Sequence, residues 1–149
     1  MSHRKADVDF DEEDQFADSV LEQNQADLAS LAASKQAQVR SLLAGGNVGA
    51  ALAAALASPP LGGAAVDDLK AQATAGVVAC LSQCRTSDIA QAIAPLDVAA
   101  RNTLVQYIYR AMRSPELYSS AVLLAWHKEA TDATGLGGIV VALTTRNTV

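Results

Sequence analysis

The sequence is poor in the residues that carry chemistry. Its 149 residues include two histidines and two cysteines, and aromatic residues make up only 4% of the chain. A nucleophilic enzyme needs a Ser, Cys or Thr within reach of a base, and the internal histidine, His127, is expected to make a structural hydrogen bond. Cys80 and Cys84 lie one helical turn apart, which is typical of two small buried side chains. The sequence therefore predicts no catalysis, no cofactor and no metal site.

Basic clusters and long apolar runs are also missing. Nucleic-acid-binding proteins carry a basic patch, whereas this chain has a sequence pI of about 4.8 and never more than two adjacent basic residues. Its strongly apolar stretches reach about ten residues, against the ~20 that a membrane-spanning helix needs. The opening residues, MSHRKADVDF, contain no apolar secretory segment. We therefore expect a cytoplasmic protein that binds neither nucleic acid nor the membrane interior.

The charge that is present is concentrated at one end. Residues 1–22 hold eight acidic and two basic residues, a net charge of −6, whereas the remaining chain is nearly neutral and the total is −5. Such low hydrophobicity and high charge cannot support a core, so residues 1–19 are predicted to form an extended acidic arm. Phe10 and Phe16 lie among these charges. Their presence favours a binding role, with a solvated acidic tail as the alternative.

Residues 20–149 have the pattern of a helical domain. Apolar residues recur at helical spacing, alanine is frequent, and Gly or Pro punctuates the helices. Helices are predicted over 20–44, from Asn47 to Ser58, over 67–84, after Thr86 or Ser87, over 98–113 after the cap Asp97, and from Ser119 or Ser120 to about Thr134. Residues 135–138 are predicted to form a turn. Residues 139–145 are ambiguous between strand and helix, and context favours a seventh helix. The predicted fold is all-α, a compact array of six to seven helices.

Large aromatic and arginine side chains gather in the second half of this domain. Tyr, Trp and Arg are the residue types enriched at the energetic centres of interfaces. The candidates for partner contact are therefore Tyr107, Tyr109, Arg110, Arg113 and Trp126. Completion of a core that has few other aromatics is an equally good interpretation of these residues.

Several segments resemble a known family. They are GNVGAALAAALASPP (46–60), SDIAQAI (87–93), YIYRAMRSP (107–115), SSAVLLAWH (119–127), GLGGIV (135–140) and LTTRNTV (143–149), together with Arg4-Lys5 followed by Asp7-Val8-Asp9. In this order and spacing they look like subunit 5, the smallest subunit, of the actin-related protein 2/3 complex. The resemblance covers residues 4–16 and about 40–149.

The resemblance implies a non-catalytic structural subunit of a seven-protein assembly that nucleates branched actin filaments in the cytoplasm, at the actin cytoskeleton of patches or the cell cortex. It implies that the helical body docks on the propeller subunit 1 and on subunit 4, and that the N-terminal arm tethers actin-related protein 2. Carried over by position, the arm contacts are Arg4, Lys5, Val8, Asp9 and Phe10, and Phe16 joins them by residue type. The alternative is an independent helical-repeat adaptor that binds peptides.

Overall fold

The computed structural model describes residues 11–61, 66–145 and 149, with side chains from residue 27 onward. Within these ranges the chain forms helices and no β-strand, so the predicted all-α class is confirmed. The helices are α1 (Asp11–Ala44), α2 (Val48–Leu56), α3 (Asp67–Gln83), α4 (Ile89–Ile93), α5 (Val98–Met112) and α6 (Ser120–Thr144), with a 3₁₀ turn over Thr86–Asp88 before α4.

The first helix is longer than the sequence pattern predicts. It begins at Asp11 rather than near residue 20, so residues 11–19, expected in the arm, have a helical backbone. The physical reason is that residues 11–14 are all acidic, and acidic residues favour the positive end of a helix dipole. With 34 residues, α1 is about 50 Å long. Residues 1–10 of the predicted arm lie outside the described residues.

Local capping chemistry sets the ends of the central helices. The side chain of Asn47 accepts a hydrogen bond from the Ala50 amide at 3.1 Å, and that of Asp97 accepts one from the Ala100 amide at 2.7 Å. Each side chain satisfies an amide that the first helical turn leaves without a partner. Before α2, Gly46 adopts φ +75°, a left-handed conformation that ends α1. The predicted caps of α2 and α5 are confirmed.

A single glycine divides the last helix. Gly135 has φ 65° and ψ −167°, a conformation open almost only to glycine, and it kinks α6 between residues 120–134 and 136–144. The sequence predicted a turn over 135–138 and a separate seventh helix. Only Gly135 leaves the helical conformation, so the break is narrower than the predicted turn, and the predicted helix is confirmed for residues 139–144. We call residues 120–134 the proximal half of α6 and residues 136–144 its distal half.

The hydrophobic core lies between α5, α6 and the helices that surround them. α5 packs along α6, α2 and α3 pack on each other, and α1 lies across α2 and α3. The largest fully buried side chains of the core are Trp126, Tyr107, Leu52, Leu81, Ile89, Ile93, Leu104, Ile108 and Leu123. Among the described side chains of α1, only Val39 belongs to the cluster of buried core residues.

Candidate interaction surfaces

Two of the predicted contact residues are core residues. Tyr107 and Trp126 have no exposed surface, so in this structure neither can meet a partner directly. The indole N–H of Trp126 donates to the carbonyl oxygen of Leu81 at 3.1 Å. Burial raises the pKa of Tyr107 to about 12, and its hydroxyl has no hydrogen-bond partner among the described residues. For these two aromatics the core interpretation replaces the interface interpretation.

Tyr109 lies at the edge of the core and pairs with His127. The Tyr109 hydroxyl and His127 Nε2 are 3.0 Å apart, and the two rings meet edge to face with centroids separated by 5.3 Å. This contact is the structural hydrogen bond expected for His127. Both side chains are half-buried, and the exposed Arg113 follows Tyr109 by one helical turn, directly after the end of α5. Tyr109 and Arg113 are therefore the predicted contact residues that still face a surface.

Arg110 is engaged within the chain. Its guanidinium donates to the carbonyl oxygen of Val149 at 3.0 Å and lies 3.5 Å from the carboxylate of Asp67. The Val149 side chain is buried, so this junction holds residue 149 against α5 and α3. The Asp67 side chain is 61% exposed, and a pair of this kind contributes about 0–1 kcal/mol. We therefore assign Arg110 a structural role in the isolated chain, and a role in partner contact stays a prediction.

The cysteines have no features of activated thiols. Cys80 is buried, its thiol donates to the Gly76 carbonyl, and burial raises its pKa to about 11. Cys84 follows the last turn of α3, where burial and the neighbouring Asp88 also raise the pKa of its thiol. In the described part of the chain, no group of three or more His, Cys, Asp or Glu residues could hold a metal ion. No described helix is long and apolar enough to cross a membrane.

One surface was missed by the sequence analysis. In the distal half of α6, Leu136, Val140 and Leu143 are 80%, 56% and 75% exposed, and Val141 beside them is 38% exposed. We call these four residues the distal apolar face. The sequence does carry a signal, because the first three recur at i, i+4 and i+7. That spacing predicts a helix face, but it does not say whether the face is covered by the same chain.

The predicted arm contacts fall outside what the structure describes. Arg4, Lys5, Val8, Asp9 and Phe10 lie outside the described residues, and Phe16 belongs to the part of α1 for which only the backbone is described. Their role stays a prediction.

The fold and its surfaces define an all-α protein with an exposed apolar face on its last helix. The chain belongs to the family of the ARP2/3 complex 16 kDa subunit (p16-Arc), whose model matches residues 2–149. It is 36% identical to actin-related protein 2/3 complex subunit 5-C of Xenopus laevis, over 98% of this chain and 93% of that protein. It is 34% identical to the human subunit 5-like protein, over 98% and 94% of the two chains. It is also 34% identical to subunit 5 of Saccharomyces cerevisiae, over 75% of this chain and 72% of that protein. The resemblance noted in the sequence is therefore confirmed.

Proposed function

We propose that this protein is a non-catalytic structural subunit of an actin-related protein 2/3 complex, an assembly of seven proteins that nucleates branched actin filaments. The observation that carries the proposal is the family match over residues 2–149, together with relatives that are named as subunits of this complex. The match spans the whole helical body and most of the arm. We expect the protein to work in the cytoplasm, at the actin cytoskeleton of patches or the cell cortex.

The proposed division of labour is a body that docks and an arm that tethers. The body would rest on the propeller subunit 1 and on subunit 4, and the arm would hold actin-related protein 2 through Arg4, Lys5, Val8, Asp9, Phe10 and Phe16. Once the body is bound, a linked second contact becomes intramolecular, so a weak arm contact gains an effective concentration in the millimolar range. The arm can then retain a partner without a large interface of its own.

The geometry of α1 supports an outward-reaching arm. An apolar groove between α1, α2 and α3 is lined on the α1 side by Leu28, Leu31, Ala32, Lys35, Gln36 and Val39. Along the helix, Asp11 lies about 26 Å from Leu28, whereas the three residues from Val8 to Asp11 span at most about 10 Å. The groove therefore lies beyond the reach of the three residues that precede Asp11 while α1 is helical. This distance supports the proposal that the arm makes its contacts with another chain.

Deletion of residues 1–10 tests the tether, because this truncation leaves α1 intact. We expect the truncated chain to fold and to co-purify with the body's partners, whereas actin-related protein 2 dissociates at lower salt than in the complex with the full chain. The pair Val8→Ser and Phe10→Ser should reproduce much of this loss, and the pair Ser2→Ala and His3→Ala is the matched control. Retention of the full set of subunits with unchanged salt resistance would contradict the tether.

The exposed side of α5 is a second place to test. Arg113 is exposed and its side chain has no recorded ion pair in the described structure, so Arg113→Glu reverses a surface charge without removing an internal contact. If this surface meets a partner, we expect slower assembly with a changed salt dependence. The control is Arg85→Glu, an exposed charge reversal just after α3. Equal assembly rates for the two variants would remove Arg113 from the interface.

The same groove between α1, α2 and α3 is the feature that would favour the alternative, an independent adaptor that binds peptides. The two functions differ in the state of the isolated chain. An adaptor is a stable monomer, whereas a subunit without its complex exposes apolar surface and self-associates. Analytical ultracentrifugation of the isolated chain at several concentrations separates them, and a strict monomer at all concentrations would favour the adaptor.

A further inference from the structure

The distal apolar face differs from the other exposed apolar residues of the described chain. Leu31, Leu61, Val98, Leu117 and Leu124 are scattered over separate elements, and single exposed apolar residues are ordinary on protein surfaces. The distal half of α6 instead concentrates four of them within eight positions. Three of these, Leu136, Val140 and Leu143, project from successive turns on one side of the helix.

This face lacks the polar groups that a solvated helix normally presents. Residues 133–145 contain no charged side chain, although an exposed helix side is normally charged or polar. The hydroxyl groups nearby bond back to carbonyl oxygens of the same helix. Thr144 donates to the carbonyl oxygen of Val140 at 2.8 Å, and Thr145 donates to that of Val141 at 2.6 Å. The surface offered to solvent is therefore mainly hydrocarbon.

The distal half of α6 is also held in place before any partner binds. Near its start Gly138 is buried, and an added Cβ there would lie 2.3 Å from the hydroxyl oxygen of Thr134 on the other side of the kink. Beyond its end, Val149 is buried and its carbonyl oxygen accepts a hydrogen bond from Arg110. Contacts on either side of the face reduce the conformational entropy that it loses on binding, which favours association.

The size of the face decides what can cover it. The usual transfer coefficient relates the free energy of burial to the apolar area buried. By this relation, full burial of one Leu or Val side chain removes about 60–120 Å² of apolar surface from water. With their exposed fractions, the four side chains can bury about 150–300 Å². A stable pair of proteins needs about 800 Å² on each partner. Pairing with a second copy through this face alone is therefore too weak, whereas a partner that is also held elsewhere in an assembly can use a contact of this size.

We infer that the distal apolar face docks into an uncharged apolar groove on a different subunit of the assembly. This inference rests on the proposed function and adds the docking element of the body to it. Leu136, Val140 and Leu143 are the anchors in a helix-in-groove contact, with the spacing that such contacts use. Gly137, above which an added Cβ would meet no atom within 4 Å, lets the groove approach the helix backbone closely.

The test replaces two anchors without touching the core. The variant with Leu136→Gln and Leu143→Gln keeps helix-forming side chains and removes the apolar tips. The matched control is Leu124→Gln, since Leu124 is 60% exposed on the proximal half of α6. Exchange of the labelled chain out of the reconstituted complex gives the dissociation rate. We expect the double variant to dissociate at least about tenfold faster than the wild type, and the dissociation rate of the control to stay within about twofold of the wild-type rate.

A second measurement needs no substitution. Amide hydrogen exchange of the wild-type chain, free and assembled, should show residues 136–144 gaining protection on assembly. If residues 136–144 gain no protection, the assignment is overturned. It is also overturned if the double variant leaves the complex as slowly as the wild type. Neither result contradicts membership of the complex. A stable dimer of the isolated chain that the double variant abolishes would overturn the assignment in favour of a second copy, whereas the weak, open-ended self-association expected of a subunit without its complex would not. Failure of the wild-type chain to assemble at all would overturn the proposed function as well.

Discussion

The hydrogen bond from Trp126 to α3 gives the sharpest test of how this fold is held together. Leu81 lies in the last turn of α3, where the helix has no partners of its own for its carbonyl groups. The indole N–H of Trp126 reaches the Leu81 oxygen at 3.1 Å from 45 residues away in the sequence. Trp126→Phe keeps an aromatic ring in the core but leaves this buried carbonyl without its donor.

The expected cost has two parts. A buried carbonyl without a hydrogen bond costs about 1–3 kcal/mol, and the smaller ring leaves a gap that costs about 1 kcal/mol more. We therefore expect Trp126→Phe to lower the free energy of unfolding by about 2–4 kcal/mol. For a chain of this length that corresponds to a fall in Tm of about 4–16 °C.

Urea unfolding followed by far-UV circular dichroism measures this change. Tryptophan fluorescence is unsuitable because Trp126 is the only tryptophan in the chain. The control is Tyr109→Phe, which removes the partly exposed hydrogen bond to His127 and should cost about 1 kcal/mol or less. A midpoint for Trp126→Phe equal to that of the wild type, or a larger loss in Tyr109→Phe, would refute the reasoning about the α3 carbonyl.

Three further predictions concern other parts of the fold. Tyr107→Phe removes a buried hydroxyl that has no described partner, so the free energy of unfolding from urea titration should stay unchanged or rise. A fall in this free energy of more than about 1 kcal/mol would contradict this. Burial raises the pKa of Cys80 from 9.0 to about 11 in the folded chain, so ionisation of this thiol favours the unfolded chain. Stability that is present below about pH 8.5 should therefore be lost as the pH rises toward 11. The loss should be smaller in Cys80→Ala. Asp97→Ala removes the cap of α5 and should cost about 0.5–2 kcal/mol in the same assay, whereas Asp132→Ala, on an exposed site of α6, should cost less.

Much of the secondary structure could be predicted from the sequence because its causes are local. The caps Asn47 and Asp97 act on amides three residues ahead, and the Pro59-Pro60 pair follows the end of α2 at Leu56. Apolar spacing within two or three turns is enough to indicate a helix. The break at Gly135 is shorter than the turn predicted over 135–138, because the sequence alone does not show that Leu136, Gly137 and Gly138 are helical.

The candidate surfaces were harder to predict than the helices. Tyr107 and Trp126 have the residue types of an interface, but α5 and α6 bury them against the rest of the core. Arg110 is engaged by Val149, 39 residues further on, a contact that its residue type does not indicate. Each outcome depends on contacts between elements that are distant in the sequence, so residue type and spacing cannot decide it.

The sequence by itself determined the all-α class, the caps of the central helices and the family, because each follows from residue types in local order. The tertiary structure decided which aromatic side chains are core, and it left Leu136, Val140 and Leu143 uncovered on one side of α6. The physical reason is that burial is a property of packed neighbours. A helix face with apolar spacing is the same in sequence whether its own chain covers it or, as we infer here, a different subunit does.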